Sequence, residues 1–129
     1  MIKKTTIEGA TLVRDYLNSC STRWNQWRLT NSDDFATLQN TKRELCEVKE
    51  ITDTCWNVIS EQKWFIFHYY KNDKKAFRRD IMHNAKYCIV INTSHTKIAW
   101  LDFTTLEYDE VDRWFWIKAV EVVELGGNK

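Results

Sequence analysis

Gly9, Gly126 and Gly127 are the only glycines among the 129 residues, and there is no proline. Every chain reversal between residues 10 and 125 must therefore be made by Asn, Asp, Ser or Thr, whose short polar side chains bond nearby backbone. This scarcity excludes glycine-rich phosphate loops of either common kind. It also departs from idealised design, which sets glycine at turns and helix caps deliberately.

The length suits a single domain spanning 1–129, with one core that hides roughly two-thirds of the surface of the unfolded chain. No apolar run approaches the length of about 20 residues needed for a membrane span, so no membrane partner is expected. The start, MIKKTTIEGA, has two lysines with no apolar stretch behind them, which disfavours a signal peptide and points to a cytoplasmic protein. Cys20, Cys46, Cys55 and Cys88 form no CxxC pair and lie among apolar neighbours. They read as reduced, buried thiols, with no metal and no cofactor implied. Asn92-Thr93-Ser94 matches a glycosylation acceptor, which means nothing without export.

Ala10, Val13, Leu17, Cys20, Trp24 and Trp27 recur at helical spacing, and Thr5 with Glu8 has the spacing of a capping box. A helix from about residue 6 to 28 follows. NSDD at 31–34 offers a second cap, and Phe35, Leu38, Leu45 and Val48 give a weaker stripe that reads as a second helix packed against the first. CWNVI (55–59) and KWFIFHYY (63–70) read as strands joined by SEQ, the latter a central strand covered on both faces. KYCIVI (86–91) and KIAWLDF (97–103) flank NTSHT, a loop of hairpin size. Thr104 to Glu107 again has capping-box spacing, and WFWIKAVEVVEL (114–125) is assigned to a strand on its Val and Trp content. The expected fold is α+β: N-terminal helices, then a mainly antiparallel sheet of about four to five strands with one amphipathic crossing helix.

That helix is KNDKKAFRRD and its continuation, residues 72–85. Rotation of about 100° per residue gathers Lys71, Lys74, Lys75, Arg78 and Arg79 within roughly 140° of arc, with Asp73 and Asp80 opposite and a docking seam of Phe77, Ile81 and Ala85. Residues 61–86 hold seven basic residues against three acidic, a local +4, whereas 101–125 hold seven acidic against two basic, a local −5. The two segments are expected either to face each other, to pair between copies in a homodimer through the basic helix and acidic 107–112, or to leave the basic face to an acidic partner. The overall net charge of +1 is low for a dedicated nucleic-acid protein.

Seven Trp, five Tyr and six Phe exceed what one small core readily hides, and Trp24, Trp27, Trp56, Trp114 and Trp116 cannot all be central. Exposed Trp and Tyr beside Arg has the composition of interface hot spots. The leading expectation is a non-enzymatic protein-binding module with a protein partner, of the kind phage or mobile elements use to inhibit host machinery by surface occupation. Its binding residues are Trp24, Trp27, Tyr70, Lys71, Lys74, Lys75, Arg78, Arg79 and His95. The first alternative is nucleic-acid binding by the basic helix, with Tyr69, Tyr70, Trp24 or Trp27 stacking on bases. The second is a metal-independent ribonuclease in which His95, at the tip of NTSHT, joins His83, Arg78, Arg79 and Tyr87. His68 is expected in the core, and His83 at a helix C-terminus.

Overall fold

The computed structural model describes residues 2–3, 5–30, 37–60 and 64–125. In chain order the elements are β1 (Ile2–Lys3), α1 (Ile7–Cys20), β2 (Trp27–Leu29), β3 (Thr37–Asn40), β4 (Leu45–Ile51), α2 (Asp53–Ser60), β5 (Trp64–His68), α3 (Lys74–Asp80), β6 (Tyr87–Asn92), β7 (Lys97–Asp109) and β8 (Trp114–Glu124). Seven strands form one mixed sheet in the order β2-β3-β4-β6-β7-β8-β5, and β1 adds a short antiparallel pairing to β4. Only β4 and β6 run parallel; the other described pairs are antiparallel. The parallel pair obliges residues 52–86 to cross the sheet before β6 can begin.

Strand alternation sorts the core onto two faces. Cys46, Val48, Ile89, Ile91 and Ile98 point to one side, where Val13 and Leu17 of α1 cover them. Ile51, Cys88, Val90, Ala99 and Leu101 point to the other, against Trp56 of α2 and Ala76 and Phe77 of α3. The α+β class stands as expected, but the sheet path has seven strands where four to five were expected, because 37–48 is a hairpin and β2 and β5 add edges, and α2 joins the expected amphipathic α3 in the crossing.

The first helix ends at Cys20 and not near 28, because Asn18 reaches out and binds the strand that follows. Its Nδ2 donates to Trp27 O at 3.0 Å and its Oδ1 accepts from Trp27 N at 2.6 Å, so the apolar stripe past Leu17 belongs to another element. The cap is Thr6, whose hydroxyl accepts from Gly9 N, while Thr5 is buried and donates to Val48 O at 2.7 Å. Of the second expected helix, residues 31–36 lie outside the described residues and 37–48 are the hairpin of β3 and β4, whose pairing overrides a weak local period. CWNVI is helical because Thr52 caps it, with its hydroxyl accepting from Cys55 N and its carbonyl from Trp56 N. The SEQ connection includes residues outside those described. KWFIFHYY supplies β5, an edge strand and not a central one: among the described strands it pairs only with β8. Its run of rings packs sideways, and His68 is exposed with its ring 5.4 Å from that of Trp114. Thr104–Glu107 starts no helix; it lies within β7.

Turns without glycine carry a cost. Arg43, His83, Asn84, His95 and Arg113 all take positive φ, between 52° and 67°. For residues with a Cβ this conformation costs roughly 1–2 kcal/mol each, so other contacts must hold them. In the NTSHT turn the buried Asn92 does so: its Oδ1 accepts from Thr96 N and Lys97 N, and its Nδ2 donates to Ser94 and Thr96 hydroxyls.

Candidate functional site

The basic helix is shorter than the expected 72–85. Asp73 caps α3 by accepting from Ala76 N at 3.1 Å, Ile81 closes it through its N–H to Phe77 O, and His83 with Asn84 turns the chain away. Ala76 and Phe77 are buried, Phe77 stacking on Phe115 at 4.3 Å with Phe67 and Tyr69 at its edges. Ile81 and Ala85 still pack inward from the turn that follows. Docking by that seam leaves Lys74, Lys75 and Arg79 exposed and Arg78 half-buried.

These four cations and Asn84 form one wall of a groove of about 650 Å³. Phe103, Thr104 and Leu106 form the other. That wall exists because β7 and β8 lose register: Asp102 faces Lys118, but the next pair is Glu107 with Trp116. The extra residues bulge outward, held by Asp102, whose Oδ1 accepts from Thr104 N and Oγ1 at 3.0 and 2.6 Å. Those bonds also hold the Asp102 carboxyl below its usual range. Thr105 ties the bulge down by donating to Asp102 O and accepting from Lys118 N.

Arg78 joins the two walls. Its guanidinium lies 4.0 Å above the Phe103 ring, and its Nη2 donates to Ala85 O at 3.1 Å. Arg79 is paired with Asp80 at 2.7 Å, and Tyr69 donates to the same carboxylate at 2.6 Å. Arg79 and the Tyr69 hydroxyl hold Asp80 down to about 2, and the Asp80 charge with partial burial pushes Tyr69 up to about 12. Among the described residues Lys74, Lys75 and Arg78 enter no ion pair. The acidic 107–112 segment does not cover the basic face. Its one described bond there is Asn72 Nδ2 to Glu110 Oε1 at 3.3 Å, and Asp109 instead caps its own turn through Val111 N and Asp112 N.

A second well of about 420 Å³ shares Arg78, Phe103 and Thr104 with the first and runs on to Lys86, Tyr87, Trp100 and Glu121. Tyr87 and Trp100 are half-buried rings set edge to face at 5.9 Å, and the Lys86 ammonium lies 5.4 Å from the Tyr87 ring while paired with Glu44.

The other expected binding residues fall elsewhere. Tyr70 is 70% exposed, with Lys71 5.4 Å from its ring, just after β5 at one end of the sheet. Trp24 is 75% exposed beside Arg23 and precedes β2 at the other end. Trp27 is only 7% exposed: it packs against Tyr87 in the core of the α1 face and is no surface anchor. His95 stands in the β6–β7 turn beside α1, with Nε2 3.4 Å from Glu50 Oε1 and 3.5 Å from the Thr6 hydroxyl, and so does not join the cations of α3. His83 meets a different carboxylate, Glu47, at 3.1 Å. Of the five residues of the expected ribonuclease constellation, Arg78 and Arg79 line the first well and Tyr87 the second, His83 precedes Asn84 at the first well, and His95 stands apart. Of the cysteines, Cys46 and Cys88 are buried as expected, Cys20 is exposed and Cys55 is intermediate.

Reasoning from sequence missed Asn84, Phe103 and Thr104, and it missed the two buried glutamates. Glu47, Lys49 and Glu50 set among the apolar residues of β4 were the available signal. Among the described residues no group of three His, Cys, Asp or Glu is placed to hold a metal ion, and no helix is long and apolar enough to cross a membrane. No family model, no curated protein and no solved structure matches the chain.

Proposed function

We propose that the chain is a binding protein that holds a single-stranded nucleic acid along this groove. One juxtaposition carries the reading: a well lined by Lys74, Lys75, Arg78 and Arg79 opens into a second well where Tyr87 and Trp100 present half-buried rings. Single strands are gripped by that combination, cations for the phosphates and aromatic platforms for the bases. Asp102 and Glu121 in the second well disfavour an acidic peptide and suit the donor edges of bases.

The test is fluorescence anisotropy of a labelled single strand across a salt series. Affinity is expected to fall with a log–log slope of about −0.7 for each phosphate neutralised, and Lys74→Ala with Lys75→Ala should flatten that slope by about one unit or more. Both side chains are exposed, so the fold survives the change. Binding with no salt dependence, or an unaltered slope in the double variant, would sink the proposal.

A protein partner is the second reading, and the exposed Trp24 with Arg23 stacked at 4.8 Å favours it. An aromatic ring and a guanidinium at a free edge are hot-spot groups for an inhibitor that works by covering a surface. Capture of a host protein by the wild type, lost on Trp24→Ala while nucleic-acid binding persists, would assign the two surfaces separately.

A further inference from the structure

We propose that His83, oriented by the buried carboxylate of Glu47, is the general base of a ribonuclease activity in the groove. The inference rests on the nucleic-acid reading above. Glu47 has no exposed surface, and its Oε2 accepts from the Thr37 hydroxyl at 3.0 Å and lies 3.1 Å from His83 Nδ1. Lys49 Nζ, 3.3 Å from Oε1, supplies a counter-charge to the carboxylate. A carboxylate has no hydrogen to give, so the hydrogen of this bond sits on Nδ1 and the lone pair of the neutral ring sits on Nε2. The His83 side chain is 44% exposed, which leaves that lone pair open to a substrate.

His83 itself lines neither well and stands beside the first through its neighbour. His83 directly precedes Asn84, which lines the cationic groove, and Asn84 N donates to Arg78 O at 2.9 Å. Both residues hold left-handed backbone, φ 52° and 56°, and the Glu47 contact helps to secure that of His83. The groove offers no free nucleophile of its own. The Thr104 hydroxyl is bound to Asp102, and the Cys88 thiol is fully buried, with burial pushing its proton affinity far up. In the proposed step the 2′-hydroxyl of the substrate serves as nucleophile, which selects RNA over DNA. The 2′-oxygen bonds to phosphorus as its proton passes to His83 Nε2, and the P–O5′ bond breaks. The departing 5′-oxygen takes a proton from water, leaving a 2′,3′-cyclic phosphate. The cations of α3 hold the charge that builds on the phosphoryl oxygens.

The experiment follows one labelled single-stranded RNA and its all-deoxy counterpart with wild type, His83→Asn and Glu47→Gln, measuring binding and cleavage in parallel. His83→Asn suits the left-handed backbone, and thermal melts check that it folds. The wild type should cut RNA alone and yield the cyclic phosphate end. His83→Asn should lose about 10²–10⁴-fold in rate at unchanged affinity, as removal of a general base does. Glu47 is a positioning residue, so Glu47→Gln should lower kcat with little change in KM. Binding without cleavage, or cleavage that survives His83→Asn, overturns this inference and leaves the groove standing as a binding site. No binding at all overturns both.

Discussion

Glu47 and Glu50 stand three residues apart on β4, so they face opposite sides of the sheet, and both are buried. Each meets a histidine held in left-handed backbone at a tight turn, His83 or His95. Their supports differ. Glu47 lies beside a lysine and engages the Nδ1 of a histidine whose side chain is 44% exposed. Among the described residues no lysine pairs with Glu50. Its Oε1 accepts from Thr6 N and Oγ1 at 3.2 and 3.1 Å, at the positive end of α1, and lies 3.4 Å from Nε2 of its histidine. One carboxylate presents a ring to solvent; the other bolts a helix and a turn to the sheet. The same residue type, buried to the same depth, serves either purpose according to which nitrogen it meets and what supplies its counter-charge.

The strongest test of this contrast is Glu47→Ala. It strands Lys49, whose side chain is nearly enclosed, and leaves the Thr37 hydroxyl without its acceptor. Removing one partner of a buried ion pair costs about 3–5 kcal/mol, read as a lower urea midpoint at unchanged m-value. A loss below about 1 kcal/mol would mean that water reaches the lysine and that the pair is not truly interior. Glu50→Ala comes next. It removes hydrogen bonds to α1 without abandoning a charge, and should cost about 1–3 kcal/mol. If the two losses came out equal, the distinction between an ion-paired and a helix-bound carboxylate would fail.

Gly9 sharpens the comparison further. A Cβ at this position of α1 would lie 2.7 Å from Glu50 Oε1 and 3.3 Å from His95 Nε2. Here the glycine serves close approach, letting the carboxylate reach the helix end. Gly9→Ala should destabilise by about 1–2 kcal/mol, since the overlap outweighs the helix propensity gained. In the Glu50→Ala background the 2.7 Å overlap is gone and only the milder approaches to Thr6 Oγ1 at 3.2 Å and His95 Nε2 at 3.3 Å remain, so the same change should become neutral or stabilise by up to about 1 kcal/mol. That reversal of sign, measured in a double-mutant cycle, would locate the effect in the carboxylate itself.

How far the sequence foretold these regions depends on how local each signal is. The NTSHT hairpin and the strand at 114–125 were legible because alternation and loop length are properties of neighbouring residues. The docking side of α3 was legible from Phe77 for the same reason. The β3–β4 hairpin was not, because Leu38, Leu45 and Val48 fit a helical period as well as a strand, and pairing with distant β6 decides between them. Trp27 misled for a related reason: spacing put it on a helix, whereas Asn18 secures it in β2. The cations of the groove could be picked out from the charge pattern. Their opposite wall could not, since it depends on a register slip between β7 and β8 that no local pattern announces. The scarcity of glycine correctly implied polar turns, but the left-handed positions fell to Arg and His as well as Asn: His83 and His95 meet the distant Glu47 and Glu50, whereas Arg43, Asn84 and Arg113 bond carbonyls of their own turns.

Asp80 gives the smallest effect and completes the contrast, being an exposed carboxylate with strong partners. Arg79 and Tyr69 hold it down to about 2 from an ordinary 3.8. A carboxyl depressed on folding adds stability above its unfolded value, and that stability disappears as pH falls from about 4 through about 2. Tyr69 is pushed the other way, from 10.0 to about 12, so its share is complete below 10 and is lost as pH climbs through 12. The difference in Tm between wild type and Asp80→Asn should therefore stay level from neutral pH to about 5 and close towards pH 2. The gap should be small throughout, because solvent screens an exposed pair. A gap that persisted undiminished at pH 2 would show that the Asp80 hydrogen bonds hold without its charge. The exposed pair would then behave like neutral bonding, and counter-charge would cease to be what sets Glu47 apart.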